Sequence, residues 1–358
     1  MSAPGPIHLA LQFGRMRHFH EGLAEFSRRL AAEFAGRAAA LRAERNWQFH
    51  FILERRWHGL FGDAVHYLPI TDRLRWPHRS DPAFALWHGL HQHMRYRPPS
   101  NAGARLITVH DFNYLTEKQG FSRIWYRRRV RRTLGRADTL VAISAAVAGD
   151  AREALGGARS VVIVHNGVTD LSSAPRTAVP GLQDAPFLLH LSRMSRSKNV
   201  DAIMALAAAW PEQRFVLAGP DGGPLRQYRE SIARKGPRNV TLLADVSDEQ
   251  KAWLYAQSSG FLFPSLVEGF GMPPIEAMYF GKPVFVSKLS CLPEICGEAA
   301  WYFESFEPAR MRRVIEAGLA DAETRAGAVR SWAGRYRWQR AAEEYLALYE
   351  RLLRSRRG

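Results

Sequence analysis

Cysteine is scarce in this 358-residue chain: Cys291 and Cys296 are the whole complement. Two cysteines cannot build a disulfide framework, so reduced thiols and a cytoplasmic setting are the expectation. No apolar run approaches the length of a membrane-spanning helix, and the most apolar stretches are strand-sized. The opening residues, Met1-Ser-Ala-Pro-Gly-Pro-Ile7, lack the basic and apolar regions of a secretory leader. No Gly-x-Ser-x-Gly elbow and no Walker A loop occurs, so two common nucleophile and phosphate signatures are missing. No Asp-x-Asp pair occurs either. The pairs His18/His20 and His91/His93 have no carboxylate or cysteine partner at ligand spacing, and no metal site is expected. Internal repeats and low-complexity tracts are also missing.

Acidic charge is the other shortage. Lys and Arg number 50 against 34 Asp and Glu, a formal net charge of +16. The excess is uneven, with 26 basic and 14 acidic residues in 1–180 and 24 against 20 in the remainder. The densest run is Arg123-Ile-Trp-Tyr-Arg-Arg-Arg-Val-Arg-Arg-Thr-Leu-Gly-Arg136. Arginines interleaved with Trp125 and Tyr126 suit an anionic membrane surface or a phosphorylated lipid. They would suit nucleic acid too, but no recognisable module accompanies them, and no nucleic-acid partner is expected. A solvated helix face is the third reading.

What is present is ample core. Apolar residues make up 46% of the chain, and the length suits two domains. Short apolar runs recur at 7–13, 49–53, 65–68, 106–109, 139–143 and 161–164. They resume at 187–191, 215–218, 240–243, 261–263, 284–286 and 301–303. Helical stretches separate them, beginning with 21–34, which predicts parallel sheets covered on both faces, a doubly wound α/β class. The Pro/Ser/Ala-rich stretch 171–186 lacks periodicity and reads as a linker. The expected division is 1–172, a linker at 173–185, a second domain over 186–336, and a last helix in 337–358 with apolar residues at helical spacing.

The most informative segment is Glu268-Gly-Phe-Gly-Met-Pro-Pro-Ile-Glu276. An apolar run ending at Pro264 precedes it, and Pro273 and Pro274 mark a helix start. Strand, Gly-bearing loop and helix N-terminus in that order aim backbone N–H groups at an oxygen-rich ligand. Two carboxylates there can accept hydrogen bonds from a polyhydroxylated one. With Pro264-Ser-Leu-Val before it and Ala-Met-Tyr-Phe-Gly281-Lys-Pro-Val after it, the segment resembles the donor-sugar motif of retaining GT-B glycosyltransferases of the GT4 type. Leu292-Pro-Glu-Ile-Cys-Gly-Glu-Ala-Ala300 resembles the next block of that family. Ser192-Arg193-Met-Ser-Arg-Ser-Lys198 resembles its Arg-x4-Lys phosphate clamp, and fixed cations there suit a leaving diphosphate that gains negative charge. The resemblance is specific in the second half and loose in the first.

That resemblance implies two Rossmann-like domains facing across a cleft, with a C-terminal helix crossing back to the first. It implies a nucleotide-sugar donor, a hexose transferred with retention, and no cofactor or metal, since the Asp-x-Asp of the metal-dependent GT-A class is missing. Arg193 and Lys198 would hold the diphosphate, Glu268 the sugar hydroxyls and Glu276 the ribose. The backbone at Gly269, Phe270, Gly271 and Met272 would meet sugar or phosphate, and the base would stack near Val246. On the first half, His110 would contact donor sugar and Asp111 orient the acceptor. A purely structural histidine stays open for His110. Gly14 is the single glycine left where the family carries a Gly-rich loop, with Arg15 and Arg17 as substitutes or acceptor contacts. His165-Asn-Gly167-Val168 reads as a structural turn. The basic first half suggests a lipid-linked or anionic glycan acceptor at the inner face of the cytoplasmic membrane, such as a lipopolysaccharide or exopolysaccharide intermediate. A GT-B-fold epimerase or phosphorylase, and a non-catalytic sugar-binding subunit, are the competing readings.

Overall fold

The computed structural model describes residues 5–14, 22–70, 82–93, 101–112, 120–157, 160–182 and 185–356. The chain divides into two compact units, Met1–Gly167 with Arg337–Gly358, and Val168–Tyr336. Part of the stretch read as a linker is packed on the second unit. The Thr177 N–H donates to the Glu249 carbonyl at 3.2 Å, and Val179 and Leu182 are buried. Two apolar side chains in an otherwise open Pro-rich segment find cover there.

The first unit holds a seven-stranded sheet. In chain order its elements are β1 (Ile7–Gln12), α1 (Gly22–Arg45), β2 (Trp47–Leu53), β3 (His66–Pro69), β4 (Phe84–Gly89), β5 (Ala104–Val109), α2 (Gly120–Leu134), β6 (Thr139–Ala142), α3 (Ala145–Leu155) and β7 (Val161–Ile163). The spatial order is β3-β2-β1-β4-β5-β6-β7, and every pairing is parallel. The chain walks from β1 out to β3, then returns to lay β4 on the other side of β1. Helix α1 covers the sheet through Phe26, Leu30, Phe34, Ala38 and Leu41, a row at helical spacing.

The second unit repeats the plan with six parallel strands: β8 (Phe187–Leu191), β9 (Arg214–Gly219), β10 (Val240–Ala244), β11 (Gly260–Phe263), β12 (Val284–Ser287) and β13 (Trp301–Phe303). Between and after them run α4 (Val200–Ala209), α5 (Gly223–Lys235), α6 (Asp248–Gln257), α7 (Met272–Tyr279), α8 (Leu292–Cys296), α9 (Pro308–Ala320) and α10 (Ala322–Ala333). The order is β10-β9-β8-β11-β12-β13, so β8 and β11 flank the reversal. Ligands of such sheets bind outside the carboxyl ends of the strands at that reversal.

The last helix, α11 (Trp338–Arg354), belongs to the first unit. Its Trp338, Ala342, Tyr345, Leu346 and Tyr349 enter that core. A buried polar chain fastens it to the sheet. His88 meets the Tyr349 hydroxyl at 2.5 Å and the Thr108 hydroxyl at 2.8 Å, and Thr108 meets the Tyr345 hydroxyl at 2.9 Å. Burial, with a smaller contribution from His110, pushes His88 down to about 3, so the ring is neutral. Gly167, in the turn after β7, lets the helix start approach: a side chain there would meet the Trp338 backbone nitrogen at 2.4 Å.

Candidate functional site

The loops after β8 and β11 meet at the reversal of the second sheet. Their backbones join where the Leu266 N–H donates to the Ser197 carbonyl at 2.7 Å. A single helical turn, Arg196–Lys198, closes the first loop, between left-handed residues Met194 and Asn199. That turn delivers Lys198 inward, 8% exposed, with its ammonium 5.6 Å from the Phe263 ring centre. Lys198 Nζ donates to Glu268 Oε1 in a short ion pair. Ser290 fixes the Glu268 backbone from both sides. It accepts from the Glu268 N–H at 3.0 Å and donates to the Glu268 carbonyl at 2.5 Å. The two loops thus bring a cation and a carboxylate together in a nearly dry place, where each charge is held by the other.

The loop after β8 is also tied to the sheet below it. His190 on β8 is fully buried and pushed down to about 4, chiefly by desolvation. Its Nδ1 donates to the Leu262 carbonyl at 2.8 Å. The neutral ring's Nε2 is then an acceptor, and takes the Ser192 hydroxyl at 2.7 Å. Ser192 Oγ in turn accepts the Met194 N–H at 2.9 Å. This relay sets the path of the segment carrying Arg193, whose side chain is exposed.

Glu276 lies on α7, 4% exposed. Its Oε2 accepts from the Tyr255 hydroxyl at 2.7 Å and pairs with Lys251 Nζ at 2.8 Å. Lys251 and Tyr255 sit four residues apart on α6, so one helix face supplies both. The α7 N-terminus is set by Gly271, whose φ of 86° is left-handed. Any side chain there would also press to 2.8 Å from Leu292 Cδ2. Phe270 turns its ring inward against Tyr336, centres 5.5 Å apart. Gly269 and Met272 flank this turn. Val246 is half-buried between β10 and α6, next to the Ser247–Gln250 capping box that starts α6.

In the first unit, His110 follows β5 and is 4% exposed. Its Nε2 donates to the Leu90 carbonyl at 2.8 Å. Burial pushes it down to about 4, so the neutral ring keeps only Nδ1 for a ligand. Gln92 spans the neighbouring backbone, accepting from the His110 N–H at 3.1 Å and donating to the Asp111 carbonyl at 2.8 Å. A side chain on Gly14, just past β1, would meet nothing within 4 Å. Arg15 and Arg17 lie outside the described residues, as do His18 and His20. His91 and His93 stand 5.0 Å apart between ring centres in the turn after β4. Among the described residues no three His, Cys, Asp or Glu side chains converge as metal ligands do.

Sequence reasoning singled out Lys198, Glu268 and Glu276 and missed what holds them: Ser290, Lys251, Tyr255 and the His190–Ser192 relay. Of these, only the i, i+4 spacing of Lys251 and Tyr255 left a signal in the sequence.

Residues 177–330 match the family model described as glycosyl transferases group 1. The chain is 29% identical over 207 residues to the serotype-specific mannosyltransferase WbdA of Escherichia coli, covering 51% of this chain and 25% of that protein. It is 32% identical over 166 residues to the GDP-mannose-dependent alpha-(1-6)-phosphatidylinositol dimannoside mannosyltransferase of Mycobacterium tuberculosis, covering 45% of this chain and 42% of that one. The chain therefore spans a quarter to under half of these relatives. Among solved structures, sucrose-phosphate synthase from Thermosynechococcus elongatus superposes with a TM-score of 0.73 at 18% identity, over 98% of this chain and 100% of that one. The likeness shows the fold, the two-domain Rossmann-like GT-B architecture. Over residues 177–330, which include the Lys198–Glu268 pair and Glu276 at the sheet reversal, the second unit is thus similar to the glycosyl transferases group 1 family.

Proposed function

We propose that this protein transfers a hexose, mannose first among them, from a nucleotide-sugar to a glycan acceptor of the cell-surface polysaccharide or lipopolysaccharide kind. The anomeric configuration is retained and no metal takes part. The observation that carries the reading is the Lys198–Glu268 pair at the reversal of the second sheet. In the resting protein the two charges satisfy each other. An arriving donor exchanges partners with both: Lys198, with Arg193, takes the diphosphate, and Glu268 takes the sugar hydroxyls. Glu276, held by Lys251 and Tyr255 through Oε2, keeps Oε1 for the ribose. The named mannosyltransferase relatives support mannose as the sugar.

In the step itself the bond between the anomeric carbon and the diphosphate oxygen breaks, and the leaving group keeps the electron pair. The acceptor hydroxyl forms the new glycosidic bond on the same face, and its proton goes to the departing phosphate. Fixed cations stabilise the charge that grows on the leaving group, the role a metal would otherwise fill.

The test is a thermal-shift and calorimetric panel of nucleoside diphosphates and their sugar conjugates, because a ligand of the native state raises its stability. GDP-mannose is expected to bind and to turn over with a mannan-type acceptor in the presence of EDTA, giving an α-linked product by NMR. Binding of no nucleotide in the panel would overturn the proposal. Epimerised free nucleotide-sugar, or turnover that needs inorganic phosphate, would replace it with the isomerase or phosphorylase reading.

A further inference from the structure

Helix α2 carries a surface that the donor site does not use. Phe121 is 84% exposed, and Ile124 and Trp125 are each 51% exposed. They are three of the seven large apolar side chains exposed among the described residues. The spacing i, i+3, i+4 puts them on one face, and Arg128 and Arg132 continue that face along the helix. The helix holds six arginines and no acidic residue. Five of these are exposed, and Arg129 lies over the Trp125 ring at 5.4 Å. Val130 and Leu134 are the buried side chains that seat the helix on its unit. That unit carries 31 basic against 16 acidic residues, and the second unit 19 against 18. The protein's net charge is thus almost wholly on the unit that presents α2.

We infer that α2 is a docking face for an anionic lipid bilayer, lying in the interface with Phe121, Ile124 and Trp125 inserted and its arginines on lipid phosphates. Nucleic acid would account for the arginines and for an aromatic ring stacked on a base, but not for the aliphatic Ile124, 51% exposed beside them. It offers that side chain no apolar medium, whereas a bilayer interface takes basic and apolar side chains at once. The inner side of the same helix reaches the strand ends. Tyr126 packs on His93 with ring centres 5.9 Å apart, and Arg129 donates to the His93 carbonyl at 3.1 Å. His93 follows β4, one of the strands at the reversal of the first sheet. An acceptor held in the bilayer is thereby met beside the ends of β4 and β5, which deepens the proposed function and rests on it for that clause alone.

The experiment is co-sedimentation of the full chain with vesicles of phosphatidylcholine, alone or mixed with phosphatidylglycerol. Binding is expected to the anionic vesicles and to fall steeply with salt. F121S/W125S is expected to weaken binding about tenfold, and R128E/R132E by about fivefold per arginine. These residues are exposed, so circular dichroism and nucleotide binding by the second unit should match wild type. Equal binding to both vesicle types, wild-type binding by both variants, or a salt-sensitive gel shift with RNA or DNA in place of vesicle binding would overturn the inference. Loss of nucleotide binding with vesicle binding intact would sink the donor reading and leave the docking face standing.

Discussion

Lys198 and Glu268 each have one counter-ion in a nearly dry place, and that fixes what their loss does. In Lys198→Met the Glu268 carboxylate is left without its cation, and stability to urea is expected to fall by about 3 kcal/mol. Under the proposed function the rate of transfer should fall further, about a hundredfold or more, because Lys198 would then act on charge that grows only as the donor bond breaks. The double variant Lys198→Met/Glu268→Leu removes both charges and should recover most of the stability and none of the rate. Wild-type stability in the single variant would mean that the pair is not formed in solution. Tyr255→Phe makes a milder case. It removes one hydrogen bond to Glu276 and leaves Lys251 in place, so about 1 kcal/mol of stability should go. Nucleotide affinity should drop several-fold, with kcat little changed, because Glu276 is assigned to binding. A fall in kcat at constant KM would contradict that assignment.

Elements place these residues, and Gly271 is where an element depends on one backbone angle. Gly271→Ala forces a side chain into the left-handed region and against Leu292. A loss of about 1–2 kcal/mol is expected from the backbone alone, with weaker donor binding as the α7 N-terminus shifts; a melting curve and a nucleotide titration read the two separately. This loop was legible in the sequence because glycine, proline and paired carboxylates mark strand end, turn and helix start directly. All six strands of the second sheet were legible too, each a short apolar run between helical stretches. In the first sheet β4 was missed, although it lies beside β1 at the centre. Its residues, Phe84-Ala-Leu-Trp-His-Gly89, contain nothing β-branched and include a histidine. His88 is at home there only because Thr108 and Tyr349 satisfy both ring nitrogens. Tyr349 arrives from a helix 261 residues further along the chain, a partnership that local periodicity cannot reveal. The same holds for Ser290 on Glu268, a contact made across 22 residues by a side chain with no motif of its own.

At the scale of the whole molecule, the two units differ in how they meet acid. Twelve of the 13 histidines fall in the first unit, and His190 alone in the second. In the first unit burial pushes His50 and His110 down to about 4 and His88 to about 3, and lowers His91 as well. In the second it pushes His190 to about 4. A histidine in the unfolded chain takes its proton near pH 6.5, so between there and pH 4 the unfolded state binds more protons than the folded one. Stability is therefore full near pH 7 and is lost as pH falls, by about 2 kcal/mol at pH 5 for each fully buried ring. Among the described residues the first unit has two such rings, His88 and His110, to the second unit's one, with His50 and His91 lowered beside them, and each proton gained adds to a surface already strongly positive. Calorimetric scans from pH 7 to pH 5 should thus show two transitions drawing apart, with the first unit's falling about twice as far or more. Added nucleotide marks which transition is which, since it raises that of the unit it binds. Transitions that fall together, or a nucleotide-sensitive one that falls first, would show that the buried histidines do not set the acid limit of this protein.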